Sequence, residues 1–504
     1  MNNALEKWLR ALPPGVVRIS PVELQVATQT TFLHKHKVIA ILVPESVAEI
    51  AVIMRIATEA GQPIYPYSRG RNWGLGSKLP VMDECALLDL SAMDKILAYD
   101  EELGTITVQP GVHFSQIAAF LKEKNSLFYA SVTGGPPYGS LIGNALERGG
   151  GDGPLGQRAK SMTALEVVLG TGEIIRTGFS RFARSSTAHL MAEGVGYSLM
   201  DLFTQSNLGV VTQATFWLNR KPVELAYLII EMEKSGELQV NLETIRDLLQ
   251  TDALDCHSVS IWNGYKTLAR TRKYDRNFTF RPESDLKALF GVAAWAVTLK
   301  LPAPNQEILE AKISHIQNCF ERQGKNLRVL RKSDMSAAMW AYLEPGNPTG
   351  INVTSAYWRK SGDLPGVEDL DPDRDRCGIL WVCPSLPFNP MTLTSVMHHL
   401  EAIILDFNFE PNIGLNPISS RAVEVYIAIM YDLTILDEAE RAMKCHDFVM
   451  QWLLDQGHLP YRLGVHSMNQ MPECADDTFN LFLRLKKTFD PAEIISPGRY
   501  LKKI

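Results

Sequence analysis

Three glycine-bearing segments, residues 65–77, 133–156 and 203–218, restrict what this 504-residue chain can fold into more than any other feature. The first, YPYSRGRNWGLGS, follows a predicted strand, as a dinucleotide-binding turn would. A Rossmann turn opens a helix and is followed by an acid about twenty residues later. Here Pro80 follows and the next run is a strand, and the segment lacks the GK[ST] of a P-loop. What remains is a loop in which Ser68, Arg69, Gly70, Arg71, Asn72 and Trp73 present successive backbone N–H groups, a concave anion site for a pyrophosphate.

The second segment, TGGPPYGSLIGNALERGGGDGPLG, lets backbone approach a large flat ligand, with Asn144 and Arg148 as directed donors. The third, FTQSNLGVVTQATFWL, takes a polar turn into a strand whose backbone meets the edge of a heterocycle. Each alone also suits an ordinary surface turn. Three in one chain ask for one large ligand.

Composition narrows the rest. At 46% apolar, 21% charged and a formal net charge of -6, neither disorder nor a polyanion-binding surface is favoured, so no nucleic-acid partner is expected. The seven cysteines are odd in number and form no CxxC pair, which argues against a disulfide framework and against a zinc site, so no metal is expected. Glu6, Lys7 and Arg10 interrupt the apolar residues of the first stretch, so neither a signal peptide nor a membrane span is expected, and the default is a cytoplasmic protein.

From about Lys37 to Leu218 short β-rich runs alternate with helical periodicity, an α+β pattern. SVAEIAVIMRIATEAG carries a serine at its start, a glutamate three residues later and a glycine at its end, the boundary signals of one helix. A second α+β region begins near Pro222 and runs to about residue 460. The tail from Tyr461 is too short for a core of its own and must dock on something already folded.

SRGRNWGLGS, SLIGNALERGGG, LEVVLGTGEIIRTG, LFTQSNLGVVT and the terminal SPGRY resemble the FAD-linked oxidases of the vanillyl-alcohol oxidase and 4-cresol methylhydroxylase group. The resemblance implies an FAD-binding domain in residues 1–221, a substrate cap in 222–460, and a return to the FAD domain in 461–504. It places Ser68 to Asn72 around the diphosphate, and Gly139, Ser140, Asn144, Gly149, Gly209, Val210 and Val211 near the flavin. Arg499 falls where the family often has a basic residue at the flavin's pyrimidine edge, though a terminal surface charge is the alternative. A cation there stabilises the negative charge of reduced flavin.

Tyr461 and Arg462 correspond to the pair with which the family holds a phenolic oxygen as phenolate. Adjacent strand residues face opposite ways, so both can meet one oxygen only where the backbone leaves β geometry. Alternation along RAVEVYIAIMYD puts Glu424, Tyr426, Ala428 and Met430 on one face, and the corresponding family strand lines the substrate pocket; the resemblance thus makes Tyr426 a third pocket candidate and Glu424 a weaker one that equally suits a solvated edge charge, while His466 is a further candidate base, though a lone histidine is more often structural.

Departures from the family pattern count equally. Leu75 replaces a second phenolate-binding tyrosine, and Gly135 stands where an aspartate often sits near flavin N5, which puts base-assisted or water-adding chemistry in doubt. Around GILWVCPSLP there is no histidine or tyrosine at the tethering place, so FAD is expected without a covalent bond. The expected activity is hydride removal from a small p-alkylphenol or aryl alcohol to flavin N5, with oxygen or another electron acceptor and a homo-oligomer such as the family commonly forms. The alternatives are the same chemistry on a non-phenolic amine, alcohol or biosynthetic precursor, or a ligand-binding descendant without redox turnover.

Overall fold

The computed structural model describes residues 3–275, 284–472 and 475–501; Cys474 lies outside the described residues. Three sheets of four or more strands organise them, beside a two-stranded pair of Phe128–Tyr129 with Asn219–Arg220. The first has four strands in the order Val17–Arg18, Val38–Leu42, Cys85–Asp89, Ile64–Tyr67, the last three mutually parallel. Helix Val47–Ala60 makes the crossover that parallel strands require. Its ends are where the sequence puts them: the Ser46 side chain accepts from the Glu49 N–H, and Gly61 closes the helix at φ 63°, a left-handed conformation that glycine adopts without strain.

The second sheet is antiparallel, in the order Ile96–Asp100, Thr105–Val108, Val210–Trp217, Met162–Val168, Ile174–Arg176. The third has eight strands in the order Arg328–Arg331, Glu224–Met232, Trp295–Ala303, Val259–Asn263, Asn412–Pro417, Ala422–Asp432, Cys377–Pro387, Pro460–Arg462. The fold is thus α+β in two parts, with the chain passing to the larger sheet between Arg220 and Glu224.

Side-chain alternation gives the eight-stranded sheet two unlike faces. Val423, Val425, Ile427, Ile429 and Tyr431 are buried in one core cluster with residues of helices Leu238–Gln250, Gln306–Glu321, Pro390–Asp406 and Leu436–Asp455. The opposite face carries Ser260, Trp262, Ala296, Thr298, Trp381, Tyr426 and Met430; helix Gly264–Thr271 packs over part of it, at Ala428 and Met430, and the rest lines a cavity shared with the glycine loops. One face holds the fold together while the uncovered part of the other is left for a ligand.

The C-terminal segment first adds Pro460–Arg462 to this sheet. An edge strand satisfies its backbone groups by pairing, and the strand Cys377–Pro387 offers that edge. The remainder docks on the first sheet: the Ile64 N–H donates to Ile494 O and the Ser496 N–H to Ile64 O, both at 2.8 Å, and Ile494 and Ile495 enter its core. Among the described residues no helix is long and apolar enough to cross a membrane, and no cluster of three His, Cys, Asp or Glu side chains is arranged to hold a metal ion.

Candidate active site

A cavity of about 950 Å³ runs between the glycine loops and the open face of the eight-stranded sheet. That is at the upper end of the ~300–1,000 Å³ usual for small-molecule sites. All three glycine segments reach it, and so do Ser496 and Arg499 of the tail.

The loop after Ile64–Tyr67 forms one wall. Gly70 turns at φ 62° and Gly74 at φ 78°, where a Cβ would strike the indole of Trp381. Among the described residues no protein group accepts from the amides of Gly70, Arg71 or Asn72, which leaves three adjacent donors at the cavity. The Arg71 guanidinium is taken up by Asp371, so Arg71 offers the cavity its backbone, whereas Arg69 lines it with no acid within salt-bridge distance among the described residues.

Ser140 caps the short helix Leu141–Leu146, accepting from the Gly143 N–H at 3.0 Å and donating to Pro110 O at 2.6 Å. Asn144 does less toward a ligand than its sequence position suggests. Its Oδ1 accepts from Nε of Arg158 at 2.7 Å, and Gly149 is required because a Cβ there would collide with the Asn144 amide. Arg158 is 1% exposed and also holds the Ser131 and Val132 carbonyls, so it fastens the glycine loop from behind. Gly209, Val210 and Val211 bring the start of the second sheet's central strand to the cavity.

The tail's guanidinium is inside. Arg499 is 6% exposed, donates to the Tyr65 hydroxyl at 3.0 Å and pairs with Glu147 at 2.5 Å; the Tyr500 hydroxyl donates to the same carboxylate at 2.7 Å. Burial works to raise the pKa of Glu147, but Arg499 and Arg462 outweigh it and hold the carboxylate ionised. Glu147 therefore offsets part of the Arg499 charge, a partner 352 positions away that sequence reading missed.

Opposite lies a cluster on the sheet face. Tyr461 and Arg462 both line the cavity although they are neighbours in one strand. The register of Pro460–Arg462 against Cys383 and Pro384 shifts between those two residues, and this irregularity is what frees both side chains. Arg462 Nη2 donates to Asn72 Oδ1 at 2.7 Å, while its buried Nε has no partner among the described residues. The Tyr461 and Tyr426 rings meet edge-to-face with centres 6.1 Å apart, and the Tyr426 hydroxyl donates to Glu424 at 2.8 Å.

Burial drives the pKa values of this cluster. It raises both tyrosines well above the ordinary phenol value, with the Glu424 charge adding to the effect, and it raises the Glu424 carboxyl against the pull of Tyr426 and Arg462. Arg462 keeps its charge because Glu147 and Tyr461 outweigh its burial. Glu424 does not itself line the cavity and reaches it through Tyr426. His466 is remote from it, packed against Phe32 and 3.3 Å from His446.

Comparison with known proteins decides the family. Residues 38–178 match the family described as FAD binding domain. The 1'-carboxy-chondrochloren decarboxylase of Chondromyces crocatus is 35% identical across 99% of this chain and 97% of its own length. This chain belongs to the vanillyl-alcohol oxidase and 4-cresol methylhydroxylase family. The 4-cresol dehydrogenase [hydroxylating] flavoprotein subunit of Pseudomonas putida is 24% identical over 92% of this chain and 88% of its own. In fold, p-cresol methylhydroxylase with substrate bound superposes with a TM-score of 0.90 at 23% identity, covering 100% of this chain and 97% of that one. The 4-ethylphenol oxidase from Gulosibacter chungangensis does so with 0.90 at 21%, covering 99% and 97%.

As a family member the protein is an FAD-dependent enzyme, and its residues fit that cofactor. Three adjacent unengaged amides suit a diphosphate, and buried donors at Trp73 Nε1 and Arg462 Nε wait without partners among the described residues. Sequence reading also missed Lys266, Arg270, Trp262 and Trp381, which line the same cavity. The i, i+4 spacing of the two cations in GYKTLART was the available signal.

Proposed function

We propose that this enzyme oxidises a phenolic substrate at the benzylic carbon of its para side chain, with Tyr461, Tyr426 and Arg462 receiving the phenolic oxygen. The observation that carries this reading is the convergence of those three side chains at one end of the FAD cavity, one of them with a buried and unpaired N–H. A phenol is normally neutral at pH 7, at a pKa of about 10. Beside a permanently charged guanidinium its ionised form is favoured, and Tyr461, whose own ionisation is suppressed, stays protonated as a donor to it, while the Tyr426 proton is engaged by Glu424. The order Tyr461, Tyr426, Glu424 supplies a path along which the phenol proton reaches a carboxylate of raised pKa. The electron-rich ring then releases hydride from the benzylic carbon. FAD, when bound, supplies the two-electron hydride acceptor.

The oxidised substrate is a quinone methide, whose fate depends on its neighbours. Gly135 supplies no carboxylate to activate water. The relative named as a carboxy-compound decarboxylase suggests another outcome: a carboxylate on the next side-chain carbon leaves as CO₂, and its bonding pair forms a C=C double bond as the ring regains aromaticity. This second reading shares every residue role with the first.

We further propose that FAD is held without a covalent tether. Trp381 and Cys383 are the cavity-lining members of the WVCP run, and burial pushes the Cys383 thiol up to about 12, which leaves it unreactive. Anaerobic mixing with phenols, alcohols and amines, followed by admission of oxygen, tests the reading. The flavin bands bleach with p-alkylphenols, and acid precipitation leaves the yellow colour in the supernatant. Bleaching by alcohols or amines and not by phenols contradicts the phenolic assignment.

A further inference from the structure

One group of cavity residues is not among those assigned above to the phenol or to FAD. Helix Gly264–Thr271 carries Lys266 and Arg270 one turn apart, on the face turned to the cavity. Among the described residues no carboxylate lies within salt-bridge distance of either. Lys266 Nζ donates to Asn412 Oδ1 at 3.1 Å and sits 5.4 Å from the ring centres of both Trp262 and Trp381. Arg270 lies 5.1 Å from the Trp262 ring centre and 4.8 Å from that of Tyr342, to whose hydroxyl it donates.

Among the other cations of the cavity wall, Arg69 of the glycine loop and Arg462 of the tyrosine cluster also have no acid within salt-bridge distance among the described residues, but both belong to groups assigned above. Arg499 has Glu147, Lys300 has Asp152 and Arg71 has Asp371. Cations held in a cavity wall without an anion are costly unless one arrives with a ligand. The sheet register fixes where such a ligand would lie. Trp262, Gly414 and Tyr426 are consecutive partners on three neighbouring strands. The Lys266 stem crosses the sheet at Gly414, where an added Cβ would come within 3.0 Å of Lys266 Cε. The Lys266 stem thus lies over the strand next to the one that carries Tyr426.

We propose that Lys266 and Arg270 form a carboxylate subsite, so that the substrate class is a phenol bearing an anionic carboxylate on its para side chain. This rests on the phenolic reading above. The aromatic residues beneath the cations keep water from competing for them, and Asn412 and Tyr342 hold them toward the cavity. Binding and orientation are the functions assigned; whether the carboxylate afterwards stays or leaves is set by its distance from the benzylic carbon.

The test uses the FAD-loaded full-length enzyme and three probes: 3-(4-hydroxyphenyl)propanoate, 4-propylphenol and 3-phenylpropanoate. Dissociation constants are read from perturbation of the flavin spectrum, and reduction from anaerobic bleaching. The wild type is expected to bind 3-(4-hydroxyphenyl)propanoate on the order of tenfold or more tighter than 4-propylphenol, as an extra charge-assisted hydrogen bond supplies. In Lys266→Met and Arg270→Met that preference shrinks about tenfold or more, and Arg270→Lys retains part of it, with FAD content reporting that each variant is folded. An unchanged preference in both methionine variants overturns the inference. If neither phenol bleaches the flavin, the phenolic reading fails by itself; the subsite then stands only if 3-phenylpropanoate binding still weakens in both variants, and falls otherwise.

Discussion

Glu424 is the residue on which the proposed chemistry turns, although it stands outside the cavity. Its raised pKa and its hydrogen bond from Tyr426 make it the place where a proton entering at Tyr461 can rest. Glu424→Gln removes that acceptor while keeping size and an oxygen for Tyr426. The substrate must then lose its proton unaided, so the anaerobic rate of flavin reduction is expected to fall on the order of a hundredfold at pH 7 and to climb toward pH 10, where free phenol ionises. Stopped-flow reduction across pH reads this, and a wild-type profile in the variant would remove Glu424 from the path. Lys266 gives a second pH signature. Burial lowers its pKa to about 8, with Cys383 opposing and Arg270 reinforcing, and Asn412 of the neighbouring strand is the other polar group facing it. Its charge is present below that value and lost above it. The dissociation constant of 3-(4-hydroxyphenyl)propanoate should therefore rise between pH 7 and 9, while that of 4-propylphenol stays level; spectral titration distinguishes the two.

The strand Ala422–Asp432 shows at the scale of one element how stability and function are divided. Ile427 is fully buried toward the helices, and its neighbour Tyr426 faces the cavity. Ile427→Ala is expected to lower unfolding stability by about 2–5 kcal/mol, and Tyr426→Phe to leave it nearly unchanged while slowing flavin reduction; denaturant unfolding of both variants checks the contrast. This alternation was legible in the sequence because period two is a local property. So was helix Val47–Ala60, whose serine, glutamate and glycine are local instructions. The glycine loops were legible for the same reason: Gly70 and Gly74 occupy left-handed positions that the chain marks with glycine. Pairings across the chain were not. Arg71 meets Asp371 from 300 positions away, and Arg462 meets Asn72 from 390, and nothing local in either segment announces its partner. The bulge that turns both Tyr461 and Arg462 inward also belongs to the partner strand, which is why adjacency looked like an obstacle.

At the scale of the whole molecule, the cofactor loop and the cap are fastened together by acids of the segment before Cys377. Asp371 takes Arg71, and Asp373 accepts from the Ser77 hydroxyl at 2.8 Å. Burial raises Asp373 to about 7 despite that hydrogen bond, with the Asp371 charge adding to the rise. An acid raised in the folded state binds its proton more tightly there than in the unfolded chain. Its stabilising contribution is present below the unfolded value, about 3.9, and is lost as pH rises through about 7. The melting temperature of the FAD-loaded enzyme should fall by on the order of a few degrees between pH 5 and 8. Asp373→Asn, which keeps the acceptor for Ser77, should flatten that fall; calorimetry across the interval decides. The central claim spans both parts of the molecule: glycine loops hold FAD, and the open sheet face presents a phenolate-binding cluster to it. Its most direct test is anaerobic flavin reduction by 4-propylphenol beside its O-methyl ether, which has the same side chain and no ionisable oxygen. Rapid bleaching by the phenol with none by the ether is the predicted result; equal bleaching by both would contradict the account.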